Sequence, residues 1–185
     1  MYQNNYADKQ DMLINNMRLA WEQHVYWTRM LLISIAERLK DLPEVTGRLL
    51  QNPYDISRIF ADYYAGESAD KIAALLTEHL QIGAELITAL RDKQTEQSDK
   101  LNKEWYINAD KMAEAFSKLN PHYNQEELRE MLRRHLDLTS REVSERLDGN
   151  YQADIEAFNK VEKEAMMMAD YFTDGIIKQF PHKFA

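Results

Sequence analysis

A chain of 185 residues, 44% hydrophobic and 29% charged, carries enough apolar surface for one packed domain and is not disordered. Its net charge of −8 repels phosphate backbones, so nucleic acid is not an expected partner. The absence of cysteine excludes disulfides, thiolate metal sites and thiol nucleophiles, and five glycines with four prolines and no β-branched runs predict an all-α fold.

The first twelve residues, MYQNNYADKQDM, contain no apolar signal core. The longest uncharged apolar stretch near a helix centre, residues 30–36, is far shorter than the roughly 20 residues of a membrane span. The expectation is a cytoplasmic protein without a membrane partner.

The first predicted helix runs from about Asp8 to about Asp41, on the stripe Leu13, Met17, Ala20, His24, Thr28, Leu31, Ile35, Leu39, and Pro43 ends it. A short connector over 44–51 leads into a second helix near Pro53, with Gly66 as its terminating glycine. Ser68 is the expected cap of a third helix, with Ile72, Leu76, His79, Gly83, Leu86 and Leu90 on one face. The polar stretch 92–99 reads as a turn. A fourth helix then presents Leu101, Trp105, Asn108, Met112, Ala115 and Leu119, and Asn120-Pro121 stops it. Asn124 caps a fifth helix carrying Leu128, Leu132, His135, Thr139 and Val143. After the turn Asp148-Gly149-Asn150, a sixth helix extends to about Gln179, and Pro181 closes it.

Shifted by 56 residues, the pattern returns without a gap. Leu76-x-x-His79-Leu80 falls on Leu132-x-x-His135-Leu136, Asn52 on Asn108, and Phe60 on Phe116. Ala109-x-x-Met112-Ala113-x-x-Phe116 falls on Ala165-x-x-Met168-Ala169-x-x-Phe172, and Trp21-x-x-His24-Val25 joins the first helix to the series. The expected architecture is a single domain, 1–185, an antiparallel bundle of three weakly repeated helical hairpins at about 8–66, 68–120 and 124–180. A four-helix bundle with short connecting helices is the alternative.

In that arrangement His24, His79 and His135 lie at similar heights on three parallel helices, each on an apolar stripe. Asn52, Asn108 and Glu164 follow them by 28, 29 and 29 residues. Buried polar groups need partners, since an unpaired one costs about 1–3 kcal/mol. One reading is structural: each histidine pairs with the Asn or Glu of its hairpin partner or with the backbone, in a polar layer that sets helix register. The other is a site in which His24, His79, His135 and the Glu164 carboxylate hold a divalent transition metal such as Zn²⁺, Fe²⁺, Mn²⁺ or Cu²⁺. No Glu-x-x-His and no His-Glu-x-x-His occurs, so the common di-iron and zinc-protease spacings are not present.

Thr28 and Thr139, four residues after a histidine, are expected to bond the backbone of the preceding turn rather than to act as nucleophiles. Trp21, Trp27, Trp105 and the run Met166-Met167-Met168 read as core filling. With no glycine-rich phosphate loop, kinase and dehydrogenase readings have no support.

The segments Trp21-Glu22-Gln23-His24-Val25-Tyr26-Trp27-Thr28-Arg29, Arg48-Leu49-Leu50-Gln51-Asn52, Trp105-Tyr106-Ile107-Asn108-Ala109-Asp110, His135-Leu136-Asp137-Leu138-Thr139 and Gly175-Ile176-Ile177-Lys178-Gln179-Phe180-Pro181 resemble those of a group of short all-helical bacterial proteins. The resemblance covers nearly the whole chain. It implies a cytosolic, stand-alone helical protein and supplies no catalytic residues.

Three functions remain in view: a non-enzymatic bundle acting through an interaction surface, as a homodimer; a metal-binding bundle; and a small-molecule binder whose cavity is bounded by Trp21, Trp27, Asn52 and Asn108.

Overall fold

A computed structural model describes residues 4–185, with side chains from Lys9 onward. Seven α-helices and one 3₁₀ turn account for nearly all of it: α1 (Asn4–Ala36), α2 (Leu42–Leu49), α3 (Asn52–Ala61), α4 (Gly66–Arg91), α5 (Thr95–Leu119), α6 (Gln125–Leu147), α7 (Tyr151–Gln179) and the turn Pro181–Lys183. No strand occurs among the described residues. The protein is an all-α antiparallel bundle.

Cross-helix contacts give the directions. Arg18 pairs with Asp170 and Arg29 with Asp154, so α1 and α7 are antiparallel. His79 meets Asn108, and the ring of Trp105 faces Gly83, so α4 and α5 are antiparallel. Tyr106 bonds Asp137 while Arg133 bonds Asp110, which does the same for α5 and α6. Tyr171 bonds Glu127 while Arg134 meets Glu164, which does it for α6 and α7. It follows that α4 and α6 are parallel to each other, and α1 runs with them.

Local chemistry sets the helix ends, and several of the expected ends differ. The first helix stops at Ala36, where Arg38 takes a positive φ of 54°; Pro43 instead sits in the first turn of α2, where its missing N–H costs nothing. The 44–51 connector is thus mostly helix, its Val45 and Leu49 buried. Gly66 opens α4 rather than closing α3, and Ser68 lies inside the first turn instead of capping it. The turn between α4 and α5 is only residues 92–94, with Lys93 at φ 57°. Asn124 does cap α6: its Oδ1 accepts from the N–H groups of Glu126 and Glu127 at 2.9 and 3.1 Å.

The buried apolar residues form two clusters. The larger contains Trp21, Ile56, Phe60, Leu76, Trp105, Phe116, Leu132 and Phe172; the smaller holds Leu31, Leu32, Ile35, Val45, Leu49, Leu80, Ile87 and Val143. Phe60, Phe116 and Phe172, spaced 56 residues apart, meet ring to ring with centroids 5.4, 5.7 and 4.5 Å apart. Aromatic contacts at this range add to area burial. Gly175 is required by its neighbour, because a Cβ there would overlap the Tyr123 ring, whose hydroxyl is tied to the carbonyl of Phe172 at 2.6 Å. Of the methionine run, Met168 is core, Met166 half-buried and Met167 exposed.

Candidate metal centre

Three of the chain's five histidines meet between the two apolar clusters. His24 on α1, His79 on α4 and His135 on α6 are 3–5% exposed, with ring centroids 6.2, 5.9 and 6.5 Å apart. One ring nitrogen of each lies within 4.8 Å of the others. They meet because each occupies the inward stripe of one of three parallel helices at a common height.

Two of the rings are held by asparagines from the antiparallel helices. Asn52 donates its Nδ2 to the carbonyl of Ala20 at 2.8 Å, which turns its Oδ1 toward His24 Nδ1 at 2.9 Å. Asn108 donates Nδ2 to the Leu75 carbonyl at 3.1 Å and to Glu78 Oε2 at 3.0 Å, presenting Oδ1 to His79 Nδ1 at 3.2 Å. In both cases the carbonyl that fixes the amide belongs to the residue four before the histidine. An oxygen acceptor at Nδ1 requires the proton to sit there. Nε2 is then a bare lone pair, the form of imidazole that binds metal. His79 is further fixed by Trp105, whose indole N–H donates to the His79 carbonyl at 3.1 Å and whose rings stack on the imidazole at 5.3 Å.

The third pair is built differently. His135 Nδ1 is buried with no hydrogen-bond partner among the described residues. Glu164, the expected partner or fourth ligand, is buried on α7, but its Oε2 forms an ion pair with Arg134 Nε at 3.2 Å. It stands outside the group of converging ligand atoms. The expected fourth ligand is therefore not assembled with the three histidines: the guanidinium next to His135 in the chain takes the carboxylate.

Burial disfavours the charged form of all three rings. Burial pushes His24 down despite its bond to Asn52; burial, then the charge of His24, takes His79 down to about 3; burial and both neighbours place His135 well below the ordinary value. Neutral imidazoles a few ångströms apart can share a cation without first losing protons. A tetrahedral ion with bonds of about 2.0–2.1 Å needs its nitrogens roughly 3.4 Å apart, nearer than the 4.8 Å within which these lie.

Thr28 and Thr139 behave as expected, donating to the carbonyls of His24 and His135 at 2.7 and 2.9 Å. Trp27 turns elsewhere, under the guanidinium of Arg48 at 5.2 Å. The cavity touching the histidines encloses about 20 Å³ and is lined by residues such as Thr28, Leu31, Gly83, Ile87, Trp105 and Thr139, not by Trp21, Trp27, Asn52 or Asn108. It is the size of one water, far below the 300–1,000 Å³ of ordinary ligand pockets.

Sequence reasoning missed the charge cluster one to two turns beyond the rings. Arg29 Nη1 lies 2.6 Å from Glu142 and 2.7 Å from Asp154, both carboxylates buried, and Arg146 reaches Asp154 at 3.5 Å and Glu37 at 2.9 Å. The signal was present: Glu142 falls three residues after Thr139, on the inward side of its helix.

The fold and the site define a helical bundle with a buried three-histidine centre. Set against models of protein families, curated proteins and solved structures, the chain matches none.

The asparagines carry a direct expectation. Asn52→Leu or Asn108→Leu leaves an imidazole N–H unpaired in the core and is expected to cost about 1–3 kcal/mol in urea unfolding. An unchanged midpoint would show that the amides do not hold the rings.

Proposed function

We propose that this protein is a metal-binding helical bundle in which Nε2 of His24, Nε2 of His79 and a ring nitrogen of His135 hold one divalent transition metal, zinc being the natural probe. The observation that carries the reading is the orientation of Asn52 and Asn108. Each spends its amide N–H₂ on a backbone carbonyl and thereby commits its histidine to the Nδ1–H tautomer. Their Nε2 lone pairs are then bare, and one ring nitrogen of each of the three histidines lies within 4.8 Å of the others. One imidazole N–H can satisfy only one bare lone pair, whereas a cation satisfies all. Glu164 is left out of the ligand set because Arg134 holds it.

Untagged protein purified without chelator is expected to contain metal near one equivalent, or to take up one equivalent of Zn²⁺ from a competing chromophoric chelator. His79→Asn is expected to weaken uptake by more than the roughly 10–100-fold that loss of a supporting partner costs, and Asn108→Leu by about that 10–100-fold. No metal as purified and no uptake on addition would leave the histidines as a structural polar layer.

A second reading is an interaction bundle that pairs as a homodimer. Its support is the row of exposed apolar side chains Leu19, Tyr26 and Met30 on α1 and Ile155 and Met167 on the adjoining α7. A monomer across the micromolar range in sedimentation would count against it. No helix of the described residues is long and apolar enough to cross a membrane.

A further inference from the structure

One turn beyond the three rings lies a second layer, made by the residues four after each histidine: Thr28, Gly83 and Thr139. These three line the cavity of about 20 Å³ that touches His24, His79 and His135. Its other walls are apolar, among them Leu31, Leu80 and Ile87, and no charged side chain lines it. Both threonine hydroxyls have committed their protons to backbone carbonyls, at 2.7 and 2.9 Å. What each oxygen has left to offer is acceptor lone pairs. Gly83 has no side chain at the third corner, and the atoms nearest to a Cβ there would be those of the Trp105 indole, at an ordinary 3.5 Å.

We infer that this pocket completes the metal's coordination with one exogenous ligand, a protic group with a single heavy atom: water or hydroxide. The inference rests on the three-histidine reading above. Three features carry it. Three protein ligands leave a tetrahedral ion one position short, and the nearest carboxylate candidate, Glu164, is held by Arg134. The space beside the rings accepts about one water and no polyatomic anion. The threonine oxygens on its wall accept hydrogen bonds and do not donate them, so a ligand that donates to them is favoured over azide or thiocyanate. Zinc lowers the pKa of such a water to about 7, and the hydroxide formed still has one proton to give a threonine oxygen.

The test uses the full chain loaded with Co²⁺. In water enriched in oxygen-17, the Co²⁺ paramagnetic-resonance lines are expected to broaden, while azide and thiocyanate leave the visible spectrum unchanged. Gly83→Ala, which adds a methyl at the cavity wall against the Trp105 indole, is expected to retain Co²⁺ uptake and lose the broadening. Uptake without broadening, a spectrum altered by azide, or broadening retained in Gly83→Ala would overturn the inference and leave the three-histidine reading standing. Failure to take up Co²⁺ would overturn both. The wild-type measurement decides the matter even if the variant does not fold.

Discussion

Arg29→Leu is expected to cost about 3–5 kcal/mol of stability, as removal of one partner from a buried ion pair does. Arg29 is the group that holds Glu142 and Asp154 in the interior, at 2.6 and 2.7 Å, with its guanidinium also 4.7 Å from the centre of the Phe158 ring. Arg146 approaches Asp154 only at 3.5 Å, so it does not replace Arg29. Burial already pushes Glu142 up to about 7, against the pull of Arg29 and helped by the charge of Asp154. Without the guanidinium, Glu142 is expected to stay protonated well above that. Removing the whole cluster is a different experiment. An Arg29→Leu, Glu142→Leu, Asp154→Leu protein should recover much of the loss, because a buried ion cluster exchanged for apolar groups is often neutral. Urea unfolding at pH 7 measures both. A single-variant cost below about 1 kcal/mol, typical of a solvated surface pair, would show that the cluster is not desolvated.

Acid is expected to unfold the metal-free protein through the three histidines. A group whose folded pKa lies below its unfolded value contributes nothing above the unfolded value of about 6.5 and loses stability as pH falls below it, because only the unfolded chain takes up the proton. For His79, down at about 3 in the fold, the window runs from 6.5 to about 3, and the loss reaches about 2 kcal/mol by pH 5. His24 and His135 act in the same direction for the same reason, burial. Glu142 opposes them. Its folded value near 7 lies above the unfolded one, so it gains stability as pH falls from 7, and that gain saturates near 4.5. The unfolding midpoint should therefore change little between pH 7 and 6 and fall steeply below about 6. His79 adds a slope of about 1.4 kcal/mol per pH unit between 6.5 and about 3. His135→Leu should remove one imidazole's share of the total slope between pH 6 and 4.5, a window above the titration of most carboxylates. A slope identical to that of the wild type would exclude His135 as a buried neutral base.

The convergence of His24, His79 and His135 was foreseeable in outline. Equal spacing along the chain, apolar stripes and alternating helix direction together place three side chains at one height. The threonines four residues on were also readable, because a hydroxyl on a helix satisfies itself on the preceding turn. Helix ends were less so. Pro43, Gly66 and Ser68 each suit a helix terminus, but residue type does not say which side of the boundary it takes; the packing of Val45 and Leu49 into the smaller core decides that α2 is a helix at all. Glu164 was misjudged because its competitor, Arg134, sits on a different helix and nothing in the spacing of 29 residues reveals it.

By itself, then, the sequence determined the all-α class and the inward direction of the histidines, since these follow from the 3.6-residue period and from local turn chemistry. The tertiary structure alone decided the tautomers, the unpaired Nδ1 of His135, the diversion of Glu164 and the single-water cavity beneath Thr28, Gly83 and Thr139. Those depend on which side chain from another helix arrives within hydrogen-bonding distance, a property of distances of a few ångströms between residues 28 to 125 positions apart in the chain.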